Sequence, residues 1–308
     1  VFYPYAMKLI YRYIYSSAPA MLVLATLAWG SHTIAGKLSV GEVNPMMLIF
    51  LRWAIVALLI WSINGRAMIS LWPLMSKKLK WVFLMGGCGL SLFNAFFYLA
   101  AHFTSAINLG IIQSIMPAMI LLGSYLIFGT VVNRLQVTGL VLTFLGCIIV
   151  AAQGSIGNLL LLTFNIGDLL ILLAVLFYAG YSLGLKNRPS IPGLAMMGYF
   201  SIAALIMSIP LVVIESLVSG FRFPTENGWY IVFYIALIPS FLSQIFFMRG
   251  VDLVGPNSAG LYANLVPIFS ALMAILILDE TIRFYHLTAM LIIFSGIFLF
   301  ENKKPNLG

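Results

Sequence analysis

Two stretches of this chain, 104–150 and 254–300, lie on each other without a gap at a shift of 150 residues. Gly110 then meets Gly260, Pro117 meets Pro267, Thr138 meets Thr288 and Gly146 meets Gly296. The helix breakers carry the signal, because Gly and Pro are costly inside a helix unless the fold needs them. The same shift brings Gly30 to Gly180 and Asn94 to Gln244, so the repeat covers two halves of about 150 residues each.

What each half contains is a series of apolar runs. The chain is 62% hydrophobic and 8% charged, with mean hydropathy +1.08. Soluble domains carry roughly 25% charged residues, so this composition reads as an integral membrane protein. Ten spans are expected, at 18–38, 45–64, 79–101, 105–128, 135–154, 166–186, 193–217, 229–249, 257–278 and 284–301. Each is near the roughly 20 residues that a helix needs to cross a bilayer. The expected units are an aromatic and basic interfacial segment at 1–17 and two repeats at 18–154 and 166–302. No cleavable signal peptide is read in the first residues. Cys88 and Cys147 sit in apolar runs and read as small buried hydrophobes, without metal or disulfide spacing.

Basic residues set the orientation. With the N-terminus inside, twelve fall on the inside: Lys8, Arg12, Arg66, Lys77, Lys78, Lys80, Arg134, Lys186, Arg188, Arg249, Lys303 and Lys304. Three fall outside (Lys37, Arg222 and Arg283), and Arg52 lies within a span. The net charge of +8 is thus a topology signal and does not point to nucleic acid. Both termini are expected in the cytoplasm of a multi-pass protein of the cytoplasmic (inner) membrane. Five spans per half is an odd number, so the second repeat enters from the opposite side. The expected fold is all-α, ten transmembrane helices as two inverted five-helix repeats, with a substrate site at their interface.

Several residues in this order resemble the EamA-type transporters of the drug/metabolite transporter superfamily. Trp29-Gly30-Ser31 is similar to the W-G-S of that family's first span, which Lys37 closes. Pro45 and Arg52 resemble the P-x6-R of its second span, and Pro117 and Pro267 the prolines of its fourth and ninth. Glu280 and Gly296 resemble its terminal motif. One departure is Gly129-Thr130, where the family often has Gly-Glu. The resemblance implies spans 1, 3, 4, 6, 8 and 9 around a central cavity, with spans 5 and 10 peripheral.

Chemistry-bearing residues are few. All eight acids, Glu42, Asp168, Glu215, Glu226, Asp252, Asp279, Glu280 and Glu301, lie at or near span ends. That argues against a midplane carboxylate relay. Arg52 reads as a structural charge, the competing reading being an anion contact; Glu280 reads as structural too. His32 is a candidate cavity residue and the one ordinary titrating group near the core whose free pKa is near neutrality. Asn94 and Gln244, paired by the repeat, are expected to line the cavity, the alternative being helix–helix hydrogen bonds. Gln113 lies one turn before Pro117. Pro117 and Pro267 are expected to bend the fourth and ninth spans and serve as gating hinges, the alternative being harmless kinks. Trp29, Phe97, Tyr98, Tyr178, Tyr181, Phe247 and Tyr262 supply aromatic surface. Trp29, Tyr98, Tyr178, Tyr181, Tyr262 and Asn264 join the expected cavity wall. Gly86-Gly87-x-Gly89 and Gly255 read as close-packing positions, since a phosphate loop needs a strand-to-helix context.

The expected function is secondary transport, with export preferred, of small amphipathic metabolites such as amino acids. No cofactor, no metal and no enzyme activity are expected. The expected partners are a small-molecule substrate and the lipid bilayer, with no nucleic acid; a monomer is one option. A sugar-phosphate or nucleotide-sugar carrier of the same superfamily is the nearer alternative, and would want a Lys/Arg cluster in the cavity. A channel and a membrane-embedded enzyme are further alternatives, the last needing clustered His, Asp, Glu or Cys.

Overall fold

The computed structural model describes residues 16–130, 133–155, 157 and 165–301, with the backbone alone at 255–261 and 300–301. The interfacial segment, Lys8, Arg12, Lys303 and Lys304 lie outside the described residues. Among those described, all regular structure is helical. The first half holds α1 (Ala18–Leu38), α2 (Pro45–Met75), α3 (Leu79–Phe83), α4 (Phe93–Phe103), α5 (Ala106–Gln113), α6 (Met116–Phe128) and α7 (Arg134–Ala151). The second holds α8 (Ile166–Gly184), α9 (Gly193–Ser219), α10 (Glu226–Ile235), α11 (Ser243–Leu261), α12 (Val266–Leu278) and α13 (Phe284–Glu301). A π-helical segment, Leu84–Leu92, joins α3 to α4, and another, Ala236–Leu242, joins α10 to α11.

Among the described residues seven helical stretches are long and apolar enough to cross a membrane, and Tyr262–Leu278 and Phe284–Leu299 are shorter apolar helices. Helix ends are closed by side chains where lipid offers no partner. Ser17 accepts from the Ala20 amide at 3.4 Å. Asn133 and Gln136 form a reciprocal capping box, with Asn133 Oδ1 accepting from the Gln136 amide at 2.8 Å and Gln136 Oε1 from the Asn133 amide at 3.0 Å.

Three boundaries differ from the sequence reading. α2 does not end near 64 but continues to Met75, 31 residues or about 46 Å at 1.5 Å per residue. Residues 65–75 contain good helix formers, and Pro73 falls in the last turn where it stops little. The expected break between 249 and 257 is absent, because α11 is helical through Leu261 and yields to a 3-10 turn at Tyr262–Leu265. The third is the fourth span, which is not one bent helix. α5 ends at Gln113, Ser114 and Ile115 make tight turns, and Pro117 falls in the first turn of α6. There its missing N–H costs no hydrogen bond. Pro267 holds the same place in α12. Both prolines therefore start helices instead of bending them.

Element boundaries recur at the shift seen in the sequence. Adding 150 to the bounds of α6 (116, 128) gives those of α12 (266, 278), and adding it to those of α7 (134, 151) gives those of α13 (284, 301). The packing is reciprocal: α1 packs on α11 and α12 of the other half, and α8 on α4 and α6. α2 packs on α9, and α7 on α13. Small residues let these backbones approach. A Cβ on Gly146 would meet Ile293 Cγ1 at 2.5 Å, and one on Gly296 would meet the Gly139 carbonyl at 2.6 Å. In the first π segment a Cβ on Gly86 would meet the Phe200 carbonyl at 2.5 Å, in keeping with a close-packing role.

Candidate functional site

A cavity of about 920 Å³ lies between the two halves. Ligand pockets commonly hold roughly 300–1,000 Å³. α1 supplies Trp29 and His32, α2 Arg52 and Trp53, α4 Phe93 and Asn94, and the α5–α6 break Gln113, Ser114 and Pro117. The other half supplies Tyr178, Tyr181, Gln244, Asn264 and Pro267, with Pro239 and Ser240 from its π segment. Insertions of this kind re-aim side chains and are frequent at functional sites. The cavity reaches Ser124 and Gln136, at the end of the bundle where α6 gives way to α7.

Among the described residues Arg52 is the only Lys or Arg on this wall, which carries no Asp or Glu, and it is 6% exposed. Its Nε donates to Ser240 Oγ at 2.7 Å. Its Nη1 donates to Asn94 Oδ1 at 2.5 Å and Tyr98 OH at 2.8 Å, and lies 3.1 Å from His32 Nε2. Asn94 is itself anchored, its Nδ2 donating to the Leu90 carbonyl at 2.5 Å. Ser240 is oriented by donating to the Ile235 carbonyl at 2.5 Å. Tyr98 OH is also 2.8 Å from His32 Nε2, and the imidazole stacks on Phe97 with ring centroids 4.5 Å apart. With its oxygen accepting from Nη1, the Tyr98 hydroxyl has its own proton left for Nε2, which makes that nitrogen an acceptor in a neutral ring. The guanidinium carbon sits 4.9 Å from the Trp53 ring centre.

Several donors on the wall have no partner among the described residues. They are Arg52 Nη2, the Gln244 amide and the Tyr178 and Tyr181 hydroxyls. None of them is fully enclosed, so they face the cavity. Trp53 Nε1 is enclosed and also unpartnered. The two tyrosine rings sit 5.3 Å apart, and Tyr178 packs 5.1 Å from Phe93. Trp29 and Phe247 are 5.1 Å apart.

Eight of the ten residues expected on the wall are there: Trp29, His32, Asn94, Gln113, Tyr178, Tyr181, Gln244 and Asn264. Tyr98 is not; it is fully buried behind Arg52, because its hydroxyl is spent on the guanidinium. Tyr262 is not either, as it sits in the 3-10 turn outside the lining. Sequence reasoning missed Trp53 and Ser240. Trp53 follows Arg52 directly, and Pro239 beside Ser240 was the available signal.

A second polar cluster ties the helices at the opposite end, where α5 begins. Glu280 accepts from the Ala106 and Ile107 amides at 2.7 and 2.9 Å, a carboxylate on a helix N-terminus. Lys37 Nζ donates to the Ala101 and Thr104 carbonyls, both at 2.8 Å. Buried Asp168 accepts from Thr104 Oγ1 at 2.5 Å and from Asn108, which also contacts His286 Nε2 at 3.1 Å. Glu215 likewise accepts from the Met46 and Met47 amides at the start of α2.

The model of the EamA-like transporter family matches residues 16–152 and again residues 165–301. The chain is similar to "Uncharacterized transporter YetK" of Bacillus subtilis (strain 168), 24% identical, covering 94% of this chain and 86% of the relative. It is also similar to an "Uncharacterized transporter" of Archaeoglobus fulgidus, 25% identical over 94% of this chain and 99% of the relative. A solved crystal structure of a protein shares the fold at a TM-score of 0.62 and 18% identity, over 92% of this chain and 96% of that one.

Proposed function

Because the chain belongs to the EamA-like transporter family, we propose that it carries small amphipathic organic metabolites, amino-acid-like in size, through the central cavity by alternating access. The observation that carries this reading is the shared cavity itself. Its wall takes repeat-related residues from both halves, Asn94 with Gln244 and Pro117 with Pro267. Reciprocal packing of α1 on α11 and α12, and of α8 on α4 and α6, supports a pseudo-two-fold axis between repeats 18–154 and 166–302. Ten crossings in two inverted sets of five then place both termini in the cytoplasm, as the basic residues ask. In that orientation the cluster of Lys37, Asp168, Glu280 and His286 ties the outer end, and the cavity reaches the cytoplasmic end at Ser124 and Gln136. This is an inward-facing arrangement, suited to loading a solute for export.

Among the described residues the wall carries no acid, and His32 Nε2 lies 3.1 Å from Arg52 Nη1, so protonating it would set two cations against each other. Transport driven by the solute's own gradient follows. A sugar-phosphate or nucleotide-sugar cargo is disfavoured, because among the described residues Arg52 is the only Lys or Arg there.

Uptake into proteoliposomes tests the route. A Gln244→Trp variant, which narrows the cavity, should strongly lower uptake of any transported amino acid or related acid; uptake at the normal rate rejects the cavity as the path. An imposed pH gradient that drives uphill accumulation rejects uncoupled transport. External labelling of Ser76→Cys in intact cells rejects the orientation.

A further inference from the structure

Arg52 is a membrane-depth cation whose partners, Ser240, Asn94, Tyr98 and His32, are all neutral. Among the described residues no carboxylate reaches it. A buried charge without a counter-charge is expensive, and chains retain one where it pairs with something that comes and goes. The bonds are also one-sided. Nε is held by Ser240, and Nη1 by Asn94 and Tyr98, while Nη2 is left open to the cavity. Each holder is itself fixed from behind, Ser240 on the Ile235 carbonyl and Asn94 on the Leu90 carbonyl. The guanidinium is thus pre-oriented, with one N–H₂ group turned to the ligand space.

Resting on the reading of this cavity as the transport site, we infer that Arg52 Nη2 is the anchor for a carboxylate, and that the cargo is an amphipathic monocarboxylate. A single cation matches a single negative charge, and a charge-assisted bond in a water-poor cavity is strong. The aromatic faces of Trp29, Phe93, Tyr178 and Tyr181 suit an apolar or aromatic body. The free hydroxyls and the Gln244 amide are available for one further polar group. Among the described residues of the wall an ammonium on the ligand meets no acid, so it adds nothing to binding. Organic cations are disfavoured by the charge of Arg52, and di- or triphosphates find no second cation among those residues.

Titration calorimetry on the purified chain decides this with four probes of one shape: 3-phenylpropanoate, its amide, 2-phenylethylamine and L-phenylalanine. The carboxylate should bind about tenfold to a hundredfold more tightly than the amide. The amine should not bind, and phenylalanine should bind no more tightly than phenylpropanoate. Arg52→Gln should bring carboxylate and amide to within threefold of each other; should that variant fail to fold, the comparison of the four probes on the unaltered chain still decides. Equal affinity for amide and carboxylate, tightest binding of the amine, or binding of none of the four overturns the assignment to Arg52. Gln244→Trp separates the two ideas. If it removes binding while amide and carboxylate are equal, the cavity stands and the Arg52 anchor falls. If binding persists in Gln244→Trp, the cavity reading itself falls.

Discussion

The two halves share helix boundaries to the residue in places, yet they have divided the chemistry between them. In the first half, His32, Arg52, Asn94 and Tyr98 form one hydrogen-bonded cluster. Their counterparts at a shift of 150 are Ser182, Ile202, Gln244 and Met248, among which only Gln244 keeps an amide. Helix-capping glutamates show the reverse. Glu215 and Glu280 of the second half hold the starts of α2 and α5 in the first, whereas their counterparts are Gly65 and Thr130. Thr130 Oγ1 instead donates to Ser124 at 3.2 Å. Opposite Ala106–Ile107, where a glutamate caps a helix start, the second half runs on as unbroken α11. The helix boundaries repeat, and the side chains that tie one end of the bundle and line the cavity do not.

Substitutions at paired positions of the two halves test that division. The largest effect is expected at the amide pair. Asn94→Ala leaves the Arg52 Nη1 short of its closest partner, and should cost about 3 kcal/mol of stability. Gln244→Ala has no bond to lose and should change stability by less than about 0.5 kcal/mol while still lowering transport. Thermal unfolding in detergent reads both; equal losses would mean the two halves are not specialised.

Next comes the glutamate on α5. Glu280→Gln keeps the shape and removes the charge from a helix N-terminus, at a cost of about 1.5 kcal/mol to the tied end. That should raise alkylation of a Ser105→Cys probe by about tenfold. Thr130→Glu, which returns a carboxylate to the other side, should lower alkylation of Ser124→Cys. Unchanged labelling in both would show that neither carboxylate ties its end of the bundle.

A glycine pair gives opposite signs. A Cβ on Gly30 would meet Phe269 Cβ at 2.7 Å and the Ser270 amide nitrogen at 3.1 Å, whereas one on Gly180 meets nothing within 4 Å. Gly30→Ala should cost about 1 kcal/mol through overpacking. Gly180→Ala should add about 0.5 kcal/mol by stiffening the unfolded chain. Denaturant midpoints that move in the same direction would show that the two first helices are packed alike.

The prolines should have the smallest effect on stability. Pro117 and Pro267 start α6 and α12, so replacing either by Ala should change stability by less than about 0.5 kcal/mol. Their expected effect is on gating, with accessibility of cysteines at the two cavity ends shifting in opposite directions. Shifts of the same sign, or none, leave the prolines as helix starts only.

Composition and the 150-residue period were enough to read a membrane protein built from two related halves, because apolar content and helix breakers are local properties of the chain. They also placed most of the cavity wall, since Asn94, Gln244, Tyr178 and Tyr181 mark themselves by polarity inside apolar runs. Helix breaks were harder. Whether a proline bends a helix or starts one depends on the turn before it, and at Ser114–Ile115 that turn is made where α5 packs on α12. The π segments left no periodic trace, because one inserted residue shifts a face without changing composition. Tyr98 and Arg52 are the clearest case. Sequence put a tyrosine on the wall and an arginine in a structural role. Only the packing of α1, α2, α4 and the second π segment buried the hydroxyl behind the guanidinium and left Nη2 facing the cavity, because which donor stays free depends on distances between helices far apart in the chain.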